Sequence, residues 1–309
     1  MVQDYAEPAW LADSTHAEIQ HGNEYYQEIT QQFAGWFQRT PTEVIKTMHR
    51  FHQQHGFGSL VRHRVWRWQG RLVGVAHPDP IRLEDLIGYQ YQKQMVIQNT
   101  ELFLSHNRGN NVLLSGERGT GKSSLIKAIA NEYGNQGLSL LEVPRNYLVE
   151  LPKILDLLKQ QPRHYILFID DLSFDQADQE YKELKAILEG GVEALSDHLL
   201  LYATSNRKHL VYESWQDRQG IQHDENGDVR LGDTMAEKLS LSDRFGLSLN
   251  FISPNQEEYL DIVHGIAKTQ GIQMPPAELE KQALQWARWQ NNPSGRTARQ
   301  FIQSLVVSE

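Results

Sequence analysis

The sequence predicts an α/β fold in which a five-stranded parallel sheet is flanked by helices, with a small α+β region before it and a helical lid after it. Three observations support this prediction. Five apolar runs alternate with helical patterns between residues 81 and 253, a glycine-rich octet follows the first run, and strand patterns end after Pro254. Continuous apolar strands separated by helices are typical of a parallel sheet covered on both faces.

Composition limits the classes of function. The chain has 309 residues, a net charge of −9 and no cysteine. Its length predicts two or three compact units. The negative charge argues against broad electrostatic binding to nucleic acid, and the lack of cysteine excludes disulfides and thiolate metal sites. The amino terminus shows no cationic segment followed by an apolar one, and no run reaches transmembrane length, so we expect a cytoplasmic protein without membrane contact.

Residues 1–80 are predicted to form a separate amino-terminal region. Thr40 as N-cap, Pro41 as first helical residue and Glu43 as reciprocal cap predict a helix. A strand-like segment with a turn at Gln69–Gly70 predicts a hairpin after it. Before both, apolar residues at helical spacing predict another helix, and they are Tyr25, Ile29, Phe33 and Trp36.

The region 81–253 contains the five predicted strands and is interpreted as one α/β domain. The strands are NVLLSG, GLSLLEV, HYILFIDD, HLLLYATSN and GLSLNFIS, and a helical pattern follows each of the first three. Residues 212–240 interrupt the pattern, and their Asn226–Gly227 pair predicts a hairpin turn.

Residues 254–309 are predicted to form the helical lid. Ser253 as cap, Pro254 in the first turn and Gln256 reaching back predict the start of its first helix. Two further helical patterns follow, and the last contains Arg296 and Arg299, which share a face because they are three residues apart.

The glycine-rich octet GERGTGKS, Gly116–Ser123, matches the phosphate-binding pattern G-x-x-x-x-G-K-[ST] between a strand and a helix. Glycines permit positive backbone dihedrals and close approach of a phosphate, and successive backbone N–H groups at a helix N-terminus bind anions. Lys122 would neutralise the β- and γ-phosphates, and Ser123 would offer its hydroxyl to Mg²⁺. The octet therefore predicts a site for ATP with Mg²⁺.

Polar residues at the ends of the third and fourth strands complete this prediction. Asp170 and Asp171 follow a buried strand that we expect beside the octet, where a carboxylate can serve Mg²⁺ and a second one can polarise the attacking water. Asn206, after the fourth strand, is suited to hold that water or the γ-phosphate. The alternatives are two aspartates that cap a turn and an asparagine that starts a loop.

With these motifs the chain resembles the AAA+ ATPases, and more closely a bacterial family of predicted AAA+ ATPases known as domain of unknown function 815. The resemblance runs from about residue 55 to the end. It implies that Ile87 and Gly88 contact adenine and that Asn206 is the first sensor. It also implies a homo-oligomeric ring, such as a hexamer, in which Arg244 is an arginine finger for the neighbouring subunit.

The resemblance leaves the second sensor open between Arg299, which we favour, and Arg296. Nucleotide contacts are expected from Ile87, Gly88, Gly116, Glu117, Arg118, Gly119, Thr120, Gly121, Lys122, Ser123 and Ser124. Hydrolysis is expected to involve Lys122, Asp171, Asn206, Arg244, Arg296 and Arg299, with Ser123 and Asp170 at the metal. Many AAA+ motors have glutamate where this chain has Asp171, whose shorter side chain predicts slow hydrolysis. For Arg244 the alternative is an intrachain ion pair.

Other features are weighed against this interpretation. Four arginines beside Trp66 and Trp68 could bind single-stranded nucleic acid or edge a packed hairpin. A calcium loop at Asp224–Asp228 lacks the terminal glutamate, and the histidines from His49 to His55 are better explained by a solvated helix face.

The sequence thus predicts an ATPase that remodels or regulates an unidentified protein client. The alternatives are an ATP-dependent recruitment switch that hydrolyses weakly, with nucleic acid as a less favoured partner, and a P-loop kinase for a small metabolite, against which Asn206, Arg244 and the lid arginines argue.

Overall fold

The computed structural model describes residues 39–55, 63–106, 108–159, 161–172, 179–189, 196–206, 222–223, 229–230 and 241–306. The chain divides into two compact units, Met1–Phe51 and His52–Glu309. The helix predicted around Tyr25–Trp36, the calcium loop and the turn at Asn226–Gly227 lie outside the described residues.

The first helix, α1, spans Pro41–His55 and begins as the sequence predicts. The backbone N–H of Thr40 donates to Glu43 Oε2 at 2.9 Å, and the N–H of Glu43 donates to Thr40 Oγ1 at 3.4 Å. These two bonds satisfy backbone donors that the helix itself cannot pair. His49 is exposed, as expected for a solvated helix face.

The second unit contains the remaining described elements. Its strands are β1 (Val65–Trp68), β2 (Leu72–Gly74), β3 (Val112–Gly116), β4 (Leu138–Glu142), β5 (His164–Ile169), β6 (Leu199–Ser205), β7 (Gln222–His223), β8 (Val229–Arg230) and β9 (Leu247–Phe251). Its helices are α2 (Gln90–His106), α3 (Lys122–Tyr133), α4 (Leu151–Leu158), α5 (Gln179–Leu188), α6 (Gln256–Thr269), α7 (Pro276–Trp289) and α8 (Gly295–Val306). The short pair β7 and β8 is antiparallel, which agrees with the predicted hairpin.

A seven-stranded sheet forms the centre of this unit, in the order β2-β1-β4-β5-β6-β3-β9. The five predicted strands are all present and parallel. Helices cover both faces: α4 and α5 pack on one side and α2 and α3 on the other, over two separate apolar clusters. The predicted fold class, a parallel α/β core with helices on both faces, is confirmed.

The hairpin at residues 65–74 differs from its predicted place. It was expected in the amino-terminal region, but β1 pairs in parallel with β4 and extends the central sheet. Its aromatic face explains this arrangement, because Trp66 and Trp68 are 3% and 2% exposed within the core. Their indole N–H groups donate to His63 O at 3.1 Å and Glu150 Oε2 at 3.2 Å. The tryptophans are therefore not available to stack on nucleic acid bases.

The lid consists of α6, α7 and α8, which enclose their own apolar cluster. Its start was predicted wrongly, since Asn255 and not Ser253 caps α6. Asn255 Oδ1 accepts from the N–H of Glu258 at 2.9 Å, and Glu258 Oε2 accepts from the N–H of Asn255 at 2.9 Å. Asn255 offers a complete capping box, whereas the hydroxyl of Ser253 donates to Glu117.

The division into domains at residues 80/81 and 253/254 stays a prediction. In the described part of the chain, no helix is long and apolar enough to span a membrane.

Candidate functional site

A cleft of about 510 Å³ lies at the carboxyl ends of the parallel strands. The octet, called the phosphate loop from here on, follows β3, Asp170 and Asp171 follow β5, and Asn206 follows β6. In open α/β sheets ligands bind where the strand order reverses. Here β3 lies between β6 and β9, and the next strand along the chain, β4, lies on the far side of β5. The phosphate loop after β3 is therefore at such a position. The aspartates were expected on a strand beside β3. The structure instead places β6 between β3 and β5, which puts Asn206 between the lysine and the acids.

The glycines of the phosphate loop adopt conformations that other residues avoid. Gly116, Gly119 and Gly121 have φ values of 132°, 81° and 92°. At Gly116 an added Cβ would lie 2.0 Å from the carbonyl oxygen of Phe251, so β3 and β9 approach too closely there for any side chain. No atom lies within 4 Å of a Cβ at Gly121, which leaves that part of the loop open to a ligand.

Lys122 is only 5% exposed, and its ammonium is held by its own loop. Nζ donates to the carbonyl oxygens of Gly116 at 2.9 Å and Glu117 at 2.6 Å, and to Asn206 Oδ1 at 3.3 Å. Burial lowers the pKa of Lys122 to about 8, although the negative charges of Asp170 and Asp171 oppose that shift. A cation in this position can serve an anionic ligand.

One carboxylate oxygen of Asp170 accepts hydrogen bonds from two hydroxyl groups. Ser123 Oγ donates to Asp170 Oδ1 at 2.6 Å, and Thr204 Oγ1 donates to the same oxygen at 2.5 Å. A hydroxyl and a carboxylate at this distance form a hard oxygen pair of the kind that Mg²⁺ uses. In the described residues no group of three or more acids or histidines is arranged to hold a metal ion.

Asp171 is fixed by its backbone and by Asn206. Its φ of 54° lies in the left-handed region, which aspartate tolerates better than most residues. Its N–H donates to Thr204 Oγ1 at 3.0 Å, and Asn206 Nδ2 donates to its Oδ1 at 2.6 Å. Its other oxygen lies 3.9 Å from Arg118 Nη2. Asn206 therefore joins Lys122 to Asp171 across the end of β6.

The opposite end of the cleft is apolar. Ile87 packs so closely on the lid that an added Cβ at Gly265 would lie 2.8 Å from it, and a Cβ at Gly88 would lie 3.5 Å from Ile262. Gly88 has a φ of 83°, which turns the segment over the cleft. This wall, formed by a loop and by the lid helix α6, is suited to the flat face of a base.

The two arginines of α8 both line the cleft. The N–H of Arg296 donates to the carbonyl oxygen of Gly119 at 3.1 Å, so the start of α8 is attached to the phosphate loop. The charge on Arg296 is also among those that lower the pKa of Lys122. Arg299 lies one turn further along α8 and also borders a smaller cavity beside Asp79 and Ile81. The structure brings both candidate second sensors to the cleft.

Arg244 is not among the residues that line the cleft of its own chain. Its neighbours Leu241 and Phe245 are 0% and 4% exposed, which fixes the turn, while its own side chain is about half exposed. Nη2 lies 3.4 Å from Glu189 Oε1. The intrachain ion pair that was the alternative interpretation is thus present.

Most of the predicted site residues lie together. Those that line the cleft are Ile87, Gly88, Arg118, Gly119, Thr120, Gly121, Lys122, Ser123, Ser124, Asp170, Asp171, Asn206, Arg296 and Arg299. Gly116 and Glu117 do not line it, because Gly116 abuts Phe251 and the carboxylate of Glu117 accepts from Ser253. Sequence reasoning missed Thr204. Residues two apart in a strand point to the same face of the sheet, so the position of Thr204 relative to Asn206 would have indicated it. It also missed Lys93, which lines the apolar end.

The residues present fit a magnesium-bound nucleoside triphosphate. The glycine cradle leaves space where a Cβ would intrude, and Lys122 has no acidic hydrogen-bond partner among the contacts described above. Ser123 and Asp170 form the oxygen pair for a cation, and the apolar wall lies at the other end of the same cleft.

A family model described as "Protein of unknown function (DUF815)" matches residues 61–309, which is most of the chain, and the chain belongs to that family. No curated protein sequence matches it.

Among solved structures, the chain is similar to the RuvB Holliday junction branch migration motor of Thermotoga maritima, with 19% identity and a TM-score of 0.47. Two single-site mutants of that motor match with 19% and 18% identity and TM-scores of 0.48 and 0.49. Each alignment covers 72% of this chain and 63% or 64% of the RuvB chain. The chain thus spans a little less than two thirds of the length of these RuvB chains.

Proposed function

We propose that the chain, as a member of the DUF815 family with an AAA+ fold, binds ATP with Mg²⁺ in the cleft and hydrolyses it. One observation carries this proposal: Asn206 contacts both Lys122 and Asp171, while Ser123 and Asp170 are bonded to each other beside them. A positive charge for the phosphates, a candidate general base and a candidate site for Mg²⁺ are thereby held within one hydrogen-bonded group. Such positioning and charge stabilisation supply most of the catalysis of phosphoryl transfer.

Each residue of this group has a proposed task. Lys122 would exchange its loop carbonyls for β- and γ-phosphate oxygens. Ser123 and Asp170 would hold Mg²⁺, which when bound would supply positive charge against the developing negative charge. Asp171 accepts a proton from the attacking water, and Asn206 orients it as the first sensor. Thr204 bonds both to the side chain of Asp170 and to the backbone of Asp171, so it positions the two acids relative to each other.

The nucleotide-contacting roles are assigned along the length of the cleft. Ile87 and Gly88 contact the base, while Arg118, Gly119, Thr120, Gly121 and Ser124 surround the phosphates. Gly116 and Glu117 act through the shape of the loop. The sequence favoured Arg299 as the second sensor, but we assign that role to Arg296, since its charge already acts on Lys122 and its backbone is bonded to the phosphate loop. Arg299 follows one turn away, towards the ribose and base.

Arg244 supplies the remaining positive charge from a neighbouring subunit. It is half exposed on a turn fixed by buried neighbours and lies outside the cleft of its own chain. A guanidinium from another copy would stabilise the charge on the transferred phosphoryl group. The assembly is therefore a homo-oligomer, in which hydrolysis at the interfaces drives the remodelling or regulation of a macromolecular client.

A second candidate function is an ATP-dependent recruitment switch with little turnover. It is favoured by the carboxylate of Asp171, which is engaged by Asn206 at 2.6 Å on one oxygen and lies 3.9 Å from Arg118 on the other. An aspartate held in this way has a short reach towards a water molecule, and hydrolysis would be slow.

The test uses the purified full chain, with MgATP binding followed by calorimetry and turnover by phosphate release. The parent is expected to bind and to hydrolyse slowly. Lys122→Ala should bind at least about a hundredfold more weakly because a charge-assisted contact to phosphate is lost. Asp171→Asn, which keeps the shape, should bind normally and lose turnover. Binding without turnover in the parent would favour the switch, and a folded parent that binds no nucleotide would refute both functions.

A further inference from the structure

Lys93 is a lysine inside the cleft that the proposed hydrolysis does not use. It lies in the first turns of α2 and lines the cleft together with Leu86, Ile87 and Gly88. Its Nζ donates to the carbonyl oxygen of Leu86 at 2.5 Å. Among the described contacts this bond uses one of its three ammonium protons, which leaves two for other acceptors.

The charge of Lys93 is not balanced by an acid in the described part of the chain. Burial lowers its pKa, and among the described residues no carboxylate opposes that shift. Asp85 lines the same cleft, but its Oδ2 accepts from the backbone N–H of Arg82 at 2.8 Å. Keeping an ammonium group charged costs free energy when it is half-buried and its described contact is one carbonyl oxygen. Groups of this kind concentrate at functional sites.

Lys93 belongs to the base end of the cleft and not to the phosphate end. Its hydrogen-bond partner Leu86 precedes Ile87, which packs on Gly265 of the lid. At the other end, the charges that act on Lys122 come from Asp170, Asp171, Arg118 and Arg296. A ligand that fills the cleft would therefore present its base, and not its phosphates, to Lys93.

We propose that Lys93 and the carbonyl of Leu86 together read the base of the nucleotide in the proposed ATP site. The ammonium donates to a ring nitrogen of adenine, and the carbonyl accepts from the adjacent amino group. A carbonyl oxygen has two lone pairs, so Leu86 can accept from Lys93 and from the amino group at once. This assignment rests on the proposed function and adds the identity of the base to it.

Within this pair the carbonyl of Leu86 is the group that selects adenine, because an ammonium can donate to either purine. The amino group of adenine is a donor, and it has an acceptor nitrogen on each side, N1 on one side and N7 on the other. Guanine has an oxygen in the place of that amino group, so two acceptors would face each other at Leu86. A site that hydrogen-bonds a substrate discriminates strongly against an analogue that leaves its polar groups unpaired.

The experiment compares ATP, 1-deaza-ATP and 7-deaza-ATP on the parent and on Lys93→Met, with dissociation constants measured by calorimetry. One deaza analogue should bind the parent about tenfold to a hundredfold more weakly than ATP, as expected for a lost hydrogen bond to a charged donor. In Lys93→Met, which keeps the unbranched stem and removes the ammonium group, that penalty should disappear. Which analogue is penalised identifies the ring nitrogen. Lys127→Met is the control, since it removes the same charge from a half-exposed residue of α3 that does not line the cleft.

The outcomes separate the two proposals. If the parent binds ATP and both analogues equally, or if the penalty persists in Lys93→Met, the reading of the base by Lys93 is refuted while the ATP site stands. If Lys93→Met weakens all three nucleotides equally and also lowers the melting temperature, Lys93 is a structural residue and the inference is likewise refuted. A folded parent that binds none of the three would refute the nucleotide site itself.

Discussion

At the scale of single residues, Lys122 and Asn206 show how the cleft is arranged before a ligand enters. The ammonium of Lys122 donates to Gly116 O and Glu117 O, and Asn206 completes its contacts. These acceptors partly replace the water lost on burial, but carbonyls carry only partial charge. A triphosphate would supply full negative charge to the same ammonium, so binding and the protonation of Lys122 are coupled.

This coupling predicts that ATP affinity depends on pH. Burial lowers the pKa of Lys122 to about 8 in the nucleotide-free protein, and bound phosphates would raise it again. Binding therefore takes up a proton above pH 8, and affinity should fall as the pH rises through 8, by up to about tenfold per unit. Below pH 8 this group is already charged and contributes no change. Calorimetric titrations with ATP from about pH 7 to about pH 9 measure the effect.

Two variants assign that pH dependence. Lys122→Arg keeps its charge throughout the range, so its ATP affinity should not fall above pH 8. Lys93 also has a lowered pKa, and the series in Lys93→Met shows whether its titration contributes. An equal decline in the Lys122→Arg variant would assign the dependence to a group other than Lys122.

At the scale of secondary structure, the contact between the phosphate loop and α8 links the nucleotide to the lid. The N–H of Arg296 donates to Gly119 O at 3.1 Å. Ser294, which caps α8, is buried beside the loop with 1% of its surface exposed. A second contact lies at the other end of the lid, where Ser253 donates to Glu117. The loop therefore touches both the first and the last connections of the lid.

Gly119→Ala tests the contact with α8. The added Cβ would lie 2.9 Å from Ser294 Oγ and 3.2 Å from Arg296 Cβ, at a φ of 81°. We expect α8 to be displaced and ATP affinity, measured by calorimetry, to fall by at least about tenfold. Gly271→Ala is the matched control, because its φ is 69° and no atom lies within 4 Å of the new Cβ. It should lower the melting temperature through backbone strain alone. Equal ATP affinities in the two variants would contradict the proposed link.

The same scale shows what the sequence could predict. Local chemistry identified the strands, the cap at Thr40 and the phosphate loop, because each depends on residues close together in the chain. Pairing between distant segments could not be obtained in this way. The parallel pairing of β1 with β4 brought Trp66 and Trp68 into the core, and the insertion of β6 between β3 and β5 placed Asn206 between Lys122 and Asp171.

Choices among equivalent groups were also beyond local chemistry. Ser253 and Asn255 are both good N-caps, and the two are separated by what each one contacts. Glu258 completes the capping box of Asn255, while the hydroxyl of Ser253 donates to Glu117, which is distant in sequence. Lys93 was missed because its place in the cleft, beside the carbonyl oxygen of Leu86, depends on the fold. For Thr204 the alternation with Asn206 was available in the sequence, but its contact with Asp170 joins two different strands.

At the scale of the whole molecule, the proposed chemistry takes one of its positive charges from a neighbouring subunit. The cations that line it come from the phosphate loop, from α2 and from α8 of the same chain. Arg244 is instead paired with Glu189 at 3.4 Å on the surface. Exposed ion pairs of this kind are weak, so Arg244 can leave Glu189 for a phosphate at low energetic cost.

Mixing two inactive variants tests whether Arg244 acts in a neighbouring subunit. Arg244→Ala and Asp171→Asn should each bind ATP and show little phosphate release alone. In a mixed oligomer, a site is complete when one subunit supplies Asp171 and the next supplies Arg244. With random exchange of equal amounts, about a quarter of the sites meet that condition, so about a quarter of the parental turnover should return. Glu189→Gln, which frees Arg244 without removing it, should retain turnover on its own. If the mixture stays as inactive as its components, Arg244 does not act between subunits, because a role within its own chain can never be restored by mixing.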